Sequence, residues 1–284
     1  MSQTVEEMTP ARAPTRSRVR PRWWAELALV AATYALYSLI RNLIPTETGA
    51  ALRRAARLFD LERAWGLAPE VALNAAVSSH HALAIAFDYH YATLHYIVTP
   101  VVLIWMLVSV PEHYRHARRI LIVATILGLI GFWLAPLAPP RMLGSHGFVD
   151  TMAQFAGYGW WSTEASAPRG LGGLTNEYAA MPSLHVGWAM WCGWMIARHA
   201  RRIWVRVLGI LYPITTTIVV LATANHFFLD VVGGAGVILL AIPIVRAGER
   251  GLGRLAASRV APSLPTQRDA SSASHSDQDR FQSA

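Results

Sequence analysis

Three short stretches carry residues whose types and spacing suit the chemistry of a phosphate ester. In Asn225-His226-Phe227-Phe228-Leu229-Asp230, the histidine and the aspartate are four residues apart. On one helical face they can hydrogen-bond. A carboxylate on one ring nitrogen fixes the imidazole tautomer and leaves the other nitrogen able to attack. In Met181-Pro182-Ser183-Leu184-His185, Pro182 suits the first turn of a helix. The amides and hydroxyl around Ser183 then form an anion site at the helix N-terminus, although Ser183 also suits a plain helix cap. His185, two residues on, is placed to give a proton to a leaving oxygen. In Ala138-Pro139-Pro140-Arg141, the arginine offers a planar fork for phosphate oxygens. Together these supply an anion cradle, a nucleophile with its orienter, and an acid, which are the parts of a phosphoryl transfer.

Two other chemistries use the same residues. Two histidines and an aspartate are a common metal-ligand set, but the surrounding anion-binding groups favour a site with no metal and no other cofactor. A transporter could use the cluster as a proton relay, but no internal repeat marks inverted halves and the polar groups sit at the ends of apolar runs.

The elements that must hold these residues are membrane spans. The chain has 284 residues, 54% hydrophobic and only 15% charged, against about 25% charged in a soluble domain. Its apolar residues fall in blocks near the ~20 residues that cross a bilayer. The pattern predicts an all-α fold, a six-transmembrane-helix bundle, with spans at 23–44, 91–110, 120–137, 182–197, 207–224 and 227–245. Residues 46–88 have mixed charge and helical periodicity (Leu52, Ala55, Ala56, Phe59, Leu61, Trp65), predicting extra interfacial helices between the first two spans. The domain reading is a disordered cytoplasmic tail at 1–22, a catalytic membrane domain at 23–246, and a basic, then disordered tail at 247–284.

All 25 basic residues are arginine, a bias expected of a GC-rich bacterial genome. They cluster beside the apolar blocks, which fits topology signals and anionic-lipid contacts and not a nucleic-acid partner. Arginine-rich stretches at the amino tail, at Arg115, Arg118 and Arg119, at Arg198, Arg201, Arg202 and Arg206, and at Arg246, Arg250, Arg254 and Arg259 alternate with near-neutral loops. That alternation puts both termini in the cytoplasm and the three chemical stretches on the outer face of the cell membrane. The single cysteine, Cys192, forms no intrachain disulfide. Gly233, Gly234 and Gly236 read as a close-packing helix face, and Trp188, Trp191 and Trp194 as packing.

These residues resemble the type 2 phosphatidic acid phosphatase superfamily. Pro182-Ser183-Leu184-His185 and the His226-to-Asp230 spacing look like its second and third signatures. The leucine in place of the usual glycine, Asn225 before the histidine, and the Ala138-to-Arg141 stretch are closest to the branch containing inositol phosphorylceramide synthase. The resemblance covers about residues 60–245, including Leu61-Glu62-Arg63 and His95 to Pro100. It implies a phosphohistidine on His226, with Asp230 orienting it and His185 as the acid, and phosphate binding by Arg141, Ser183 and Asn225. The substrate implied is a lipid phosphate, with water or an alcohol as acceptor. Where the superfamily has a lysine, seven residues before Arg141, this chain has Leu134. Where it has an arginine, six before His226, the chain has Val220. Arg169 in the long outer loop, together with Asn225, is a candidate to compensate. His95 is a further site candidate, whereas His80 and His81 read as interfacial anchors.

Overall fold

The computed structural model describes residues 23–43, 47–161 and 177–260, so the two tails, 1–22 and 261–284, and Arg169 lie outside the described residues. The chain divides into two compact units, 1–241 and 242–284. Within the second, residues 242–260 are helical.

The first unit is helical, its one extended contact being an isolated bridge between Leu137 and Ala179 among the described residues. Helix α1 is Trp23–Leu43, α2 Thr48–Ala64, α3 Pro69–Ser78, α4 His81–Ser109 and α5 Pro111–Leu134. After a loop with 3₁₀ turns and the single-turn α6 (Thr151–Gln154) come α7 (Leu184–His199), α8 (Ile203–Ala222) and α9 (Phe228–Val260). Five of these, α1, α4, α5, α8 and α9, are long and apolar enough to cross a membrane.

Two predicted boundaries shift. The second span begins near His81, ten residues early. The third begins at Pro111, so Arg115, Arg118 and Arg119 lie in α5 and not in a loop. Proline at the first helical position and Glu112 in the first turn start α5 there, as a fixed φ and a dipole-matched acid favour. Only Val110 separates α4 from α5. Arg118 pairs with Glu26 of α1, which gives that charge a partner inside an apolar wall. At 16 residues α7 is short, and half of it is buried. Trp191, fully buried, donates from its indole to the Ala117 carbonyl of α5 at 2.9 Å.

Helices α2 and α3 form in the 46–88 stretch, and their inner faces do the positioning. Phe59 of α2 packs against Phe148 and Phe227, with ring centroids 5.2 and 6.3 Å apart. Asn74 of α3, fully buried, donates to the Val149 and Ala222 carbonyls and accepts from the Val149 amide. The long loop is thereby tied to the end of α8, from which the chain turns into α9.

Candidate active site

The turn between α8 and α9 holds His226. The Val220 carbonyl accepts from both the Asn225 and His226 amides, at 3.1 Å each, closing the turn. Ala224 adopts a left-handed φ of 52°, a conformation costing a non-glycine residue about 1 kcal/mol. It aims the Ala224 carbonyl at the Arg141 amide, 2.8 Å away. His226 therefore lies just before the helix, not on it as its spacing to Asp230 suggested, and α9 starts at Phe228. Asp230, in the first turn, reaches back. Its Oδ2 accepts from the Phe227 amide at 2.9 Å and lies 3.4 Å from His226 Nδ1. The carboxylate caps the helix and faces the ring with one atom.

The start of α7 also differs in detail. Pro182 lies before the helix, and Ser183 is the N-cap residue, its hydroxyl accepting from the Val186 amide at 3.4 Å. The cap reading of Ser183 is thus realised. The Ser183 amide donates to the Asp230 carbonyl at 2.9 Å, which links the two helix starts. Two residues along, His185 comes to His226, with Nδ1 and Nε2 3.4 Å apart. That is long for a hydrogen bond. The His185 ring stacks on Tyr91 at 4.5 Å and meets the His95 edge at 4.4 Å. His95 of α4 thus belongs to the same cluster.

Arg141, in a 3₁₀ turn after α5, is nine-tenths buried. It donates to Asn225 Oδ1 at 2.7 Å, its Nε lies 3.3 Å from Asp150, and it also pairs with Glu177. Asn225 is itself fixed by donating to the Thr223 hydroxyl at 2.9 Å. Of the five guanidinium N–H groups, two remain unused among the described residues. Arg141, Asn225, His226 and His185 line one small pocket with Glu177 and Tyr37.

Leu134 is exposed on α5, and Val220 is fully buried under the His226 turn. Neither position can contribute charge. Asp150 and Glu177 were not picked out from sequence; the available signal was that they are carboxylates in the same loop as a buried arginine. Among the described residues, no group of three or more His, Cys, Asp or Glu side chains is arranged to hold a metal ion.

The PAP2 superfamily model matches residues 56–244, well over half of the chain and the whole of this constellation. The chain belongs to the PAP2 superfamily. No curated protein and no solved structure matches it. Members of the PAP2 superfamily are generally phosphatases or phosphotransferases, and membership supports an enzyme acting on lipid phosphates in a membrane.

In this PAP2 chain the arginine fork reaches three partners at once, which an ammonium on a flexible stem cannot reproduce. Arg141→Lys should lower kcat/KM on a lipid phosphate by about 100-fold, the loss of one or two charge-assisted hydrogen bonds. Initial rates on protein of unchanged melting temperature check this, and a loss below threefold would remove Arg141 from the site.

Proposed function

We propose that this chain transfers the phosphoryl or phospho-headgroup of a lipid phosphate through a phosphohistidine on His226. The observation that carries the reading is the placement of His226. Its Nδ1 faces Asp230, and its Nε2 faces the pocket that Arg141, Asn225 and His185 share. In the first step Nε2 bonds to phosphorus as the phosphorus–oxygen ester bond breaks, and His185 gives its proton to the departing oxygen. In the second, water or an alcohol attacks phosphorus, His185 takes the incoming proton, and the nitrogen–phosphorus bond breaks. Arg141 and Asn225 neutralise and orient the phosphoryl oxygens, and the Ser183 cap keeps the start of α7 facing them. Leu134 and Val220 leave the site fewer fixed cations than the superfamily pattern. This fits the synthase-like branch, with an alcohol as the acceptor.

A lipid substrate is supported by a cavity of about 400 Å³ walled by Leu27, Val30, Leu103 and Leu121, with Tyr37, His95 and Trp188. Tyr37 lines both this cavity and the small polar pocket, so a tail in one can join a phosphate in the other. With α7 as the fourth span the chain crosses six times, α2 and α3 lie at the outer interface, and the site opens on the extracytoplasmic side of the cell membrane. The catalytic domain is then 23–246, between cytoplasmic tails.

Trapping the intermediate tests the reading. Brief incubation with radiolabelled phosphatidic acid, followed by an alkaline quench, should leave a label on the protein that acid removes. A label that survives acid would overturn the mechanism. Repeating the incubation with and without inositol separates the acceptors, and free phosphate as the sole product in both would sink the transferase form.

A further inference from the structure

Near Asp230 lie two carboxyl groups that the mechanism above does not use. Glu62 of α2 and Glu70 of α3 are both fully buried. Glu62 Oε1 accepts from the Leu229 amide, in the first turn of α9, at 2.6 Å. That amide belongs to the residue next to Asp230. Glu62 Oε2 and both oxygens of Glu70 have no donor among the described residues, yet the two side chains are in hydrogen-bond contact with each other. Two ionised carboxylates cannot make that contact, because neither has a hydrogen to give. Buried ions without partners are also expensive. One shared proton resolves both costs: the un-ionised carboxyl donates to the ionised one, and the pair carries one negative charge.

We propose that Glu62 and Glu70 share a proton and act as positioning residues for His226 and Asp230. Glu62 holds the first turn of α9 by its amide, and the charge of the pair supports the basicity of the histidine. This role rests on the phosphohistidine reading; the shared proton does not. Burial, opposed by the Leu229 amide and aided by Glu70 and Asp230, brings the Glu62 carboxyl up to about 9, and burial raises Glu70 as well. Glu62 carries the proton on Oε2, the oxygen that the Leu229 amide leaves free, and donates it to Glu70. The titratable groups facing the pair are Asp230 and, through it, His226 and His185.

Conservative variants separate this from a packing role. In Glu62→Gln the amide can still accept from Leu229 and donate to Glu70, so the pair keeps its geometry and its single charge. It should keep kcat within about threefold and leave the acid limb of the kcat/KM profile in place. Glu62→Ala loses the anchor and should lower kcat by about 100-fold with little change in KM, the scale of an ångström-sized misplacement. Glu70→Gln removes the charge. A histidine that loses a nearby negative charge holds its proton less tightly, so the acid limb should move to lower pH by roughly half a unit or more. If Glu62→Ala does not fold, the two glutamine variants still decide the matter. A folded Glu62→Gln that loses about tenfold or more in kcat, or an unmoved acid limb in Glu70→Gln, overturns the positioning role.

Infrared difference spectra of the purified protein at neutral pH test the proton without turnover. The parent minus Glu62→Gln should show the carbonyl stretch of an un-ionised carboxylic acid, and its absence overturns proton sharing. If the parent turns over no lipid phosphate, the functional reading fails while the infrared band still answers for the proton.

Discussion

Replacing His226 with alanine should abolish the acid-labile phosphoenzyme and lower lipid-phosphate turnover by about 10⁴-fold or more, the scale seen when a nucleophile is removed. The fold should survive. The His226 side chain is held by contacts with Asp230 and His185, whereas the turn is closed by backbone bonds to Val220 and by the Asp230 cap on Phe227. Asp230→Asn should keep that cap through its amide oxygen but lose the ionised acceptor facing Nδ1. With a neutral oxygen there, turnover should fall by up to about 10⁴-fold, the upper scale of a similar aspartate change beneath a catalytic histidine. His185→Ala should behave differently. If His185 protonates the leaving oxygen, its loss slows phosphoenzyme formation from an alkyl ester and slows it little from an aryl phosphate, whose phenolate departs unaided. Rates of that step on the two substrates, beside the phosphoenzyme yield, distinguish the roles. Equal losses for His185→Ala on both esters would show that it is not the acid, and a phosphoenzyme persisting in His226→Ala would show that the nucleophile is another residue.

The members of the site were legible in the sequence where the chemistry is local, and illegible where it depends on packing. His226 with Asp230, and Ser183 with His185, are neighbours along the chain, so spacing alone places them. Even so, spacing misjudged their backbone. Ala224 in the left-handed region puts His226 ahead of α9, and Pro182 lies ahead of the Ser183 N-cap, with α7 beginning at Leu184. Arg141 was recognisable from its stretch, but its partners were not. Glu177 and Asp150 reach it from distant points of one long loop, and nothing in their own neighbourhoods sets them apart. Glu62 and Glu70 are the extreme case. Glu62 stands in the family-like Leu61-Glu62-Arg63, but nothing in this mixed-charge segment marks either acid for burial, because burial of a carboxyl is decided by what α9 brings against it. Helix type was clear for the same physical reason that spans are clear: apolar runs of sufficient length leave the backbone few other ways to satisfy itself. The starts of α4 and α5 were misplaced because charged residues near an interface were taken for loops, although a helix can carry them past its apolar part.

The spacing between the two histidines depends on how closely α7 approaches α9, and Gly234 sets that distance. A Cβ added there would lie 2.2 Å from the Ser183 carbonyl oxygen and 3.4 Å from the Gly187 amide nitrogen. Both are backbone atoms, so no side chain can rotate away, and the helices must part by about 1 Å. Small residues at such a crossing are what let two membrane helices touch through their backbones. The strain falls on the site itself, because Ser183 also bonds to the Asp230 carbonyl and lies two residues before His185. Gly234→Ala should therefore lower stability by about 1–3 kcal/mol and kcat/KM by about 100-fold or more, the sensitivity of a reacting pair to an ångström of displacement. Gly233→Ala meets Pro182 Cβ at 3.1 Å and Cα at 3.5 Å, and should fall between this and the parent. Gly236 has nothing within 4 Å of the added carbon. Gly236→Ala should keep full activity and gain up to about 1 kcal/mol from the better helix former. Thermal melts in detergent and initial rates on the three variants make the comparison internal to one helix turn. If Gly234→Ala matches Gly236→Ala in both, the α7–α9 contact does not hold His185 to His226, and the pairing must be set from α4 through Tyr91 and His95.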